Sequence, residues 1–443
     1  MNYDLTEGPV LKTMLKFAVP MILGNLLQQC YNIADTLIVG RFLGADALAA
    51  VGSAFTLMTF LTSILLGLCM GSSTVFSIYY GQKNSKRLRD SLGTSFLLIG
   101  GIALLLTLAS FAFLEEILLF LQVPKTIQGL MREYLQVIFL GIAASFFYNY
   151  FSSFLRALGN SIIPLIFLAC SAILNVGLDL WFVIGLSRGT AGAAEATVIS
   201  QYISGIGILI YTWIKFPEIR RALFRFQPAS LKEIANFSFL TCIQQSVMNL
   251  GILMVQGLVN SFGTTIMAAF AAAVKIDSFA YMPVQDFGNA FSTFIAQNYG
   301  AKKKERIRQG LRGALLSAMI FCFIISILIW IFAKPLMLLF IKPYETAILA
   351  EGIRYLHIEG SFYCGIGCLF LLYGLYRALG KPEMSLVLTI ISLGTRVFLA
   401  YQLSAIPFFV VVGIWWSVPI GWFLADLAGI LYYFITHRRT ELF

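Results

Sequence analysis

Two aspartates stand inside stretches of this chain that otherwise have the make-up of membrane-crossing helices. Asp35 lies about five residues from the end of the first apolar stretch and Asp179 about six from the end of the fifth. Thr197 lies about seven from the corresponding end of the sixth. At 1.5 Å of helix rise per residue, all three fall roughly 8–10 Å from that end. Asn175 precedes Asp179 by one helical turn and shares its face. Two carboxylates, an amide and a hydroxyl at one depth form an oxygen-rich set suited to Na⁺, or to a pair of acids sharing a proton. Two poorly solvated aspartates side by side do not both stay ionised without a cation. That constraint is a physical basis for coupling ion occupancy to conformation.

The elements that must position these groups follow from composition. Of 443 residues, 59% are hydrophobic and only 12% are charged, against about 25% charged in soluble chains. The mean hydropathy is +0.85. These values exclude soluble, disordered, collagen-like and disulfide-rich classes and point to an all-α integral membrane protein. The uncharged gaps Asp90–Glu115, Arg156–Asp179 and Arg312–Lys334 hold 24, 22 and 21 residues, each enough for a helix to cross about 30 Å of hydrocarbon. The pattern predicts twelve helices near 13–40, 46–80, 90–114, 126–155, 161–185, 190–214, 232–261, 265–298, 310–333, 344–376, 384–406 and 411–435.

Twelve spans sort the connections onto alternating sides. One side receives 22 of the 31 Lys and Arg, the other seven, and Lys275 and Arg396 fall within spans. The positive-inside rule then places both termini in the cytoplasm of a multi-pass cell (inner) membrane protein. The same clustering in short connections explains the charge of +10 without nucleic acid. The amino terminus carries acids where a cleaved leader carries bases, so no leader is expected.

The two halves repeat. Residues 43–50 recur at 262–269 and Tyr80-Gly81 as Tyr299-Gly300, both at an offset of 219. Arg156-Ala157-Leu158-Gly159 recurs as Arg377-Ala378-Leu379-Gly380, and Gly192 as Gly413, at an offset of 221. Six spans per half preserve orientation, so the repeats are parallel and related by an axis along the membrane normal. The expected organisation is an amino-terminal six-helix lobe (1–214), a basic cytoplasmic linker (215–231) and a carboxy-terminal six-helix lobe (232–443). Two pseudo-symmetric lobes around a central cleft suit alternating access by rocking.

The run Asn25 to Gly40 (Asn-Leu-Leu-Gln-Gln-Cys-Tyr-Asn-Ile-Ala-Asp-Thr-Leu-Ile-Val-Gly) resembles the first helix of the multidrug and toxic compound extrusion (MATE) transporters. So do Leu43-Gly44-Ala45-Asp46-Ala47-Leu48-Ala49-Ala50, Gln297-Asn298-Tyr299-Gly300-Ala301 and the duplicated Arg-Ala-Leu-Gly turns. The resemblance covers essentially the whole chain. It implies export of amphipathic, often cationic compounds driven by Na⁺ or H⁺, with no cofactor and no enzymatic activity. Asp35, Asn175, Asp179 and Thr197 match the cation-site positions of the branch named after DNA-damage-inducible proteins. Asn149 matches as well, although its place in the fourth span is nearer the inner end. Pro20 matches the first-helix proline whose kink is proposed to respond to protonation, and proline does remove one helical hydrogen bond. The partners expected are a small-molecule substrate and the lipid bilayer, with a monomeric chain.

By the repeat offsets, Asp179 maps to Ala400, Thr197 to Val418 and Asn175 to Arg396, so the second lobe is expected to lack the acidic pair and to carry a cation instead. Asp277 and Arg396 lie at similar depth and are expected to form a structural ion bridge. Tyr31, Tyr150, Tyr281, Met282 and Asp286 are candidate cleft residues, since aromatic faces and carboxylates receive organic cations. The seven cysteines all lie in apolar stretches and the chain has only two histidines, which leaves little for a resident metal centre. The alternative reading is a lipid-linked-saccharide flippase of the same architecture. Such a flippase wants several cavity-facing bases, and only Lys275 and Arg396 are available. Reporters inserted after residue 84 or 302 are expected to face the cytoplasm, and one at 186–188 the outside. The reverse pattern in a labelling assay would invert the topology.

Overall fold

The computed structural model describes residues 4–121 and 123–439, and all regular structure among them is helical. Part of the stretch on which the leader reading rests, residues 1–3, lies outside the described residues. In the first half the helices are Val10–Phe42 (α1), Ala45–Gly81 (α2), Ser85–Ala112 (α3), Leu114–Phe120 (α4), Lys125–Ile138 (α5), Gly141–Ala157 (α6), Ile162–Asp179 (α7) and Gly189–Lys215 (α8). Pro217–Ala222 (α9) connects the halves. Then follow Pro228–Asn260 (α10), Thr264–Gly300 (α11), Lys304–Met337 (α12), Thr346–Gly360 (α13), Tyr363–Ala378 (α14), Pro382–Ser404 (α15) and Val410–Arg439 (α16).

Ten helices are long and apolar enough to cross a membrane singly, and two bent pairs raise the number to twelve when each pair is one span. Their outward faces carry exposed aliphatic and aromatic side chains such as Leu104, Leu105, Leu108, Leu316, Phe323 and Ile331, as contact with lipid tails requires. The structure corrects the fourth and tenth spans, read from sequence as continuous helices. α5 and α6 meet at 44°, and α13 and α14 at 52°. At both breaks the backbone switches to tighter bonds. Leu140 N donates to Val137 O (3.1 Å) and Phe362 N to Glu359 O (3.0 Å), three residues back instead of four.

The duplication is visible in backbone geometry. Gly44 and Gly263 have φ of 89° and 91°, Lys83 and Lys302 of 54° and 56°, and Gly159 and Gly380 of 81° and 79°. These left-handed residues end helices or open turns at the 219 and 221 offsets already present in the sequence. The lysines hold a conformation that side chains other than glycine's rarely adopt, so the turn after α2 and its counterpart after α11 are specified by context.

Two compact units divide the chain: Met1–Asp4 with Val19–Cys242, and Leu5–Ala18 with Ile243–Phe443. The division therefore does not follow chain order alone. In the second unit, Arg306 reaches back to the amino-terminal segment, its guanidinium donating to the carbonyls of Leu5 (3.2 Å), Glu7 (3.0 Å) and Gly8 (2.7 Å). Lys303 Nζ donates to Thr6 O (2.7 Å) and Asn298 Nδ2 to Leu5 O (3.1 Å). In the first unit the entry into α10 is held in the same manner. Gln227 N donates to Thr94 Oγ1 (3.0 Å), and Tyr79 donates to Glu233.

Within the first unit, α6 and α8 pack on α2, α5 and α7; within the second, α11 and α14 form the centre of α12, α13, α15 and α16. Aromatic side chains fill both cores: Phe76, Phe96, Phe146, Tyr150 and Phe151 in the first, and Phe270 stacked on Trp415 in the second. Small residues set the closest approaches. A Cβ on Gly374 of α14 would lie 2.6 Å from the Gly288 carbonyl of α11, too near for any relief by side-chain movement. Gly374→Ala is expected to destabilise the protein by about 1–3 kcal/mol through overpacking. Gly101→Ala, where a Cβ meets nothing within 4 Å, should be neutral or slightly stabilising. Thermal unfolding of the purified variants in detergent checks the opposite signs.

Candidate functional site

The expected polar set lies within the first unit, on α1, α7 and α8. Residues Ser171, Asn175 and Asp179 recur every four positions along α7 and so form one polar stripe. α8 packs against that stripe. Ser171 Oγ donates to Ser200 O (2.9 Å), and Asn175 Nδ2 donates to Thr197 Oγ1 (3.3 Å). Ser200 Oγ in turn donates to Thr197 O (2.9 Å). These bonds fix the rotation of α7 against α8 and present Asn175, Asp179 and Thr197 together. Asp179 is the last residue of α7, and a π-helical turn, Leu180–Gly185, follows at once. Such a widened turn is a device for re-aiming side chains that continuous α-helix would hold elsewhere.

Asp35 on α1 supplies the second acid. Its carboxyl group and that of Asp179 are direct neighbours, and the hydroxyls of Tyr31 on α1 and Tyr134 on α5 lie within their electrostatic range. Asp179 and Asn175 are buried and Asp35 is half-buried. Asp35 Oδ1, Asn175 Oδ1 and both Asp179 carboxylate oxygens are buried acceptors that meet no hydrogen-bond donor. Buried polar atoms are otherwise nearly always satisfied. Four acceptors without a donor, on two neighbouring acids and an amide, make a cluster whose chemistry calls for a positive charge.

The remaining sequence candidates divide. Asn149, on α6, donates its amide to Ser145 O of its own helix (2.9 Å) and makes no hydrogen bond to the two acids. Pro20 lies inside α1, just past the point where that helix passes from the second unit (Leu5–Ala18) to the first. Tyr150 is corrected from a cleft residue to a core residue: it is fully buried, and its hydroxyl donates to Leu92 O (2.6 Å) and pairs with Ser95 Oγ (2.8 Å). Tyr31, Tyr281 and Met282 are half-buried and Asp286 is buried, so the last has little surface for a solute.

The expected Asp277–Arg396 ion bridge is also corrected. Asp277 accepts instead from Tyr363 Oη (2.7 Å), and among the described residues no ion pair joins it to Arg396. Its closer neighbour is Glu359 of α13, so the second unit does contain an acidic pair. Sequence comparison of the halves missed it because neither acid falls at a position equivalent to Asp35 or Asp179.

The family model MatE matches residues 20–181 and 238–402. The chain is 32% identical over 436 residues to a protein named probable multidrug resistance protein YpnP of Bacillus subtilis, covering 97% of this chain and 96% of that protein. It is 23% identical to the multidrug export protein MepA of Staphylococcus aureus, over 99% of this chain and 96% of the relative. Among solved structures, a MATE transporter of Vibrio cholerae, VcmN, superposes with a TM-score of 0.89 at 23% identity, over 98% of both chains. An outward-facing multidrug-resistance MATE transporter gives a TM-score of 0.91 at 22% identity, over 97% of this chain and 96% of the other. Those two likenesses carry the fold; the family model and the first relative carry the family. The chain belongs to the MatE family of multidrug and toxic compound extrusion proteins and is a membrane transporter, not an enzyme.

Proposed function

We propose that this transporter exports amphipathic, often cationic, small molecules by alternating access, in exchange for Na⁺ or H⁺ bound at Asp35, Asn175, Asp179 and Thr197. The single observation that carries the reading is the set of four donorless buried acceptors around two adjacent acids. In a medium of low dielectric, two neighbouring carboxylates repel strongly unless a cation or a proton joins them. Occupancy therefore changes the stability of the whole arrangement of α1, α7 and α8, and a ligand that binds one conformation more tightly shifts the balance between conformations. The multidrug-resistance and multidrug-export names of the relatives support the substrate class.

The flippase reading gains no support. Lys275 is on the exposed face of α11, and Arg396 lies within the field of Asp277 and Glu359. Neither forms part of a cluster of bases suited to a pyrophosphate headgroup.

Solute efflux from proteoliposomes under separately imposed Na⁺ and pH gradients tests the proposal. Asp35→Asn is expected to reduce gradient-driven efflux at least tenfold, to the level seen without a gradient, while the protein still inserts. Unchanged efflux would remove Asp35 from the coupling site. Thr197→Val separates the two ions, because the hydroxyl oxygen is a ligand only to a metal cation. With Na⁺ as the coupling ion, the concentration needed for half-maximal efflux should rise about tenfold, a loss of about 1.4 kcal/mol in binding. With H⁺, the rate should stay within about twofold of the unsubstituted protein.

A further inference from the structure

A second buried acidic pair lies in the second unit, at the break between α13 and α14. Asp277 comes from the middle of α11. Glu359 is the next-to-last residue of α13, and Tyr363 is the first of α14. Tyr363 donates to Asp277 Oδ1 at 2.7 Å. The Glu359 carboxyl group adjoins both Asp277 and the Tyr355 hydroxyl, and Tyr281 and the half-buried Arg396 of α15 complete the electrostatic surroundings. Glu359 is only 1% exposed and Asp277 only 4%. Glu359 Oε1 nevertheless has no hydrogen-bond partner, and neither has Arg396 Nε.

Among the described residues, the other charged side chains of α13 and the lysine nearest the pair on α11 are engaged or directed elsewhere. On α13, Glu351 accepts from Trp415 of α16 (3.0 Å) and from Arg354 (3.1 Å). His357 stacks on Trp330 of α12 with ring centroids 4.1 Å apart. Lys275, two residues before Asp277, lies on the exposed side of α11.

Charge counting then decides the ligand. Arg396 is permanently cationic. With both acids ionised the cluster carries one net negative charge around two buried carboxylates, which is costly. A single proton brings it to neutrality and gives Glu359 a donor or Asp277 a second one. The other neighbours are phenol hydroxyls and a guanidinium, which favour a shared proton over a metal ion that needs several acceptor oxygens.

We propose that Asp277 and Glu359 share one exchangeable proton, forming a proton-binding site at the break of the fourth span in the second half. The site is distinct from the Asp35–Asp179 site of the first unit and does not depend on it. Loss of the proton leaves two like charges facing each other across α11 and α13. Because α13 supplies Glu359 and Tyr355 while α14 supplies Tyr363, the state of the pair acts directly on the bend between those helices. Use of that bend in transport rests on the export reading above; the proton itself does not.

The test is infrared difference spectroscopy of the full-length protein in liposomes between acidic and alkaline pH, reading the carbonyl stretch of protonated carboxyl groups. Glu359→Gln and Asp277→Asn should each remove the same single band. Tyr363→Phe, which keeps the shape of the side chain, should retain that band but shift it, because the hydrogen bond to Asp277 is lost. Asp35→Asn should leave the band in place. A band unchanged in both acid variants, or unmoved in Tyr363→Phe, overturns the proposal. Its removal by Na⁺ at constant pH overturns it in favour of a metal ion. Should Asp35→Asn leave efflux intact, the first-unit site fails while this band persists, so the two readings fail separately.

Discussion

A carboxylate in a lipid-spanning region must be matched by a proton, a cation or a well-placed set of donors, because neither hydrocarbon nor close-packed protein supplies the hydration that water gives. The structure is organised around places where that match is incomplete. Most of its buried polar side chains are satisfied locally. Ser72 pairs with Ser238 (2.8 Å), Tyr376 donates to Gly429 O (2.6 Å), and Arg377 donates to Asn289 (3.1 Å). Against that background the donorless carboxylate oxygens of Asp35, Asp179 and Glu359, together with one of Asp426, are exceptions. They mark positions at which gaining or losing one positive charge changes the energy of helix packing by more than a routine hydrogen bond does.

The scaffold holds the helices that carry these groups in register by two means. Polar stitching between neighbouring helices, as from Ser171 and Asn175 to α8, fixes rotation without adding charge. Close backbone approaches, as between Gly374 and Gly288 of α14 and α11, leave no room for water. Departures from regular α-helix then occur beside the acids. The π-turn begins right after Asp179, and the 52° break begins two residues after Glu359. Irregular backbone inside a span is tolerated only where protein surrounds it, and it is also where a helix has two accessible geometries.

Much of this was legible in the sequence, for identifiable reasons. A span of about twenty uncharged residues is a requirement of bilayer thickness, so spans could be read directly from the gaps between charges. The duplicated turns were legible because Gly44, Gly159 and their counterparts hold backbone angles that restrict residue choice. Asp179 and Asn175 could be placed together because helical spacing puts i and i+4 on one face. No proline marks the breaks at 139–140 and 361–362, but Gly141 and the pair Gly360-Ser361 stand beside them, a weaker kink signal that the uncharged-gap reading passed over. Glu359 was obscured because it lies in the mixed-charge run Glu351-Gly-Ile-Arg-Tyr-Leu-His-Ile-Glu359 inside the predicted span 344–376, where nothing in the sequence singles out one acid from the other. Tyr150 was misread because an aromatic at a cleft and an aromatic in a core have the same sequence appearance; only its fully buried hydroxyl bonds tell them apart.

The two halves share a fold yet place their acids at non-equivalent positions, and charge explains how both arrangements are tolerated. Through the 221 offset, Asn175 of the first half corresponds to Arg396 of the second, and Asp179 to Ala400. The duplicated position next to each acid pair is thus polar in both halves, but neutral in one and cationic in the other. Beside Asn175, two carboxylates leave an excess of two negative charges. Beside Arg396, two carboxylates leave an excess of one. Divergence of the repeated halves at this position and at the acids themselves therefore changes what each half needs from solution within one shared fold. The first arrangement suits a cation bridging both acids, or their protonation; the second suits one proton. On the two readings proposed above, a duplicated transporter built this way would answer ion availability through two unequal sites.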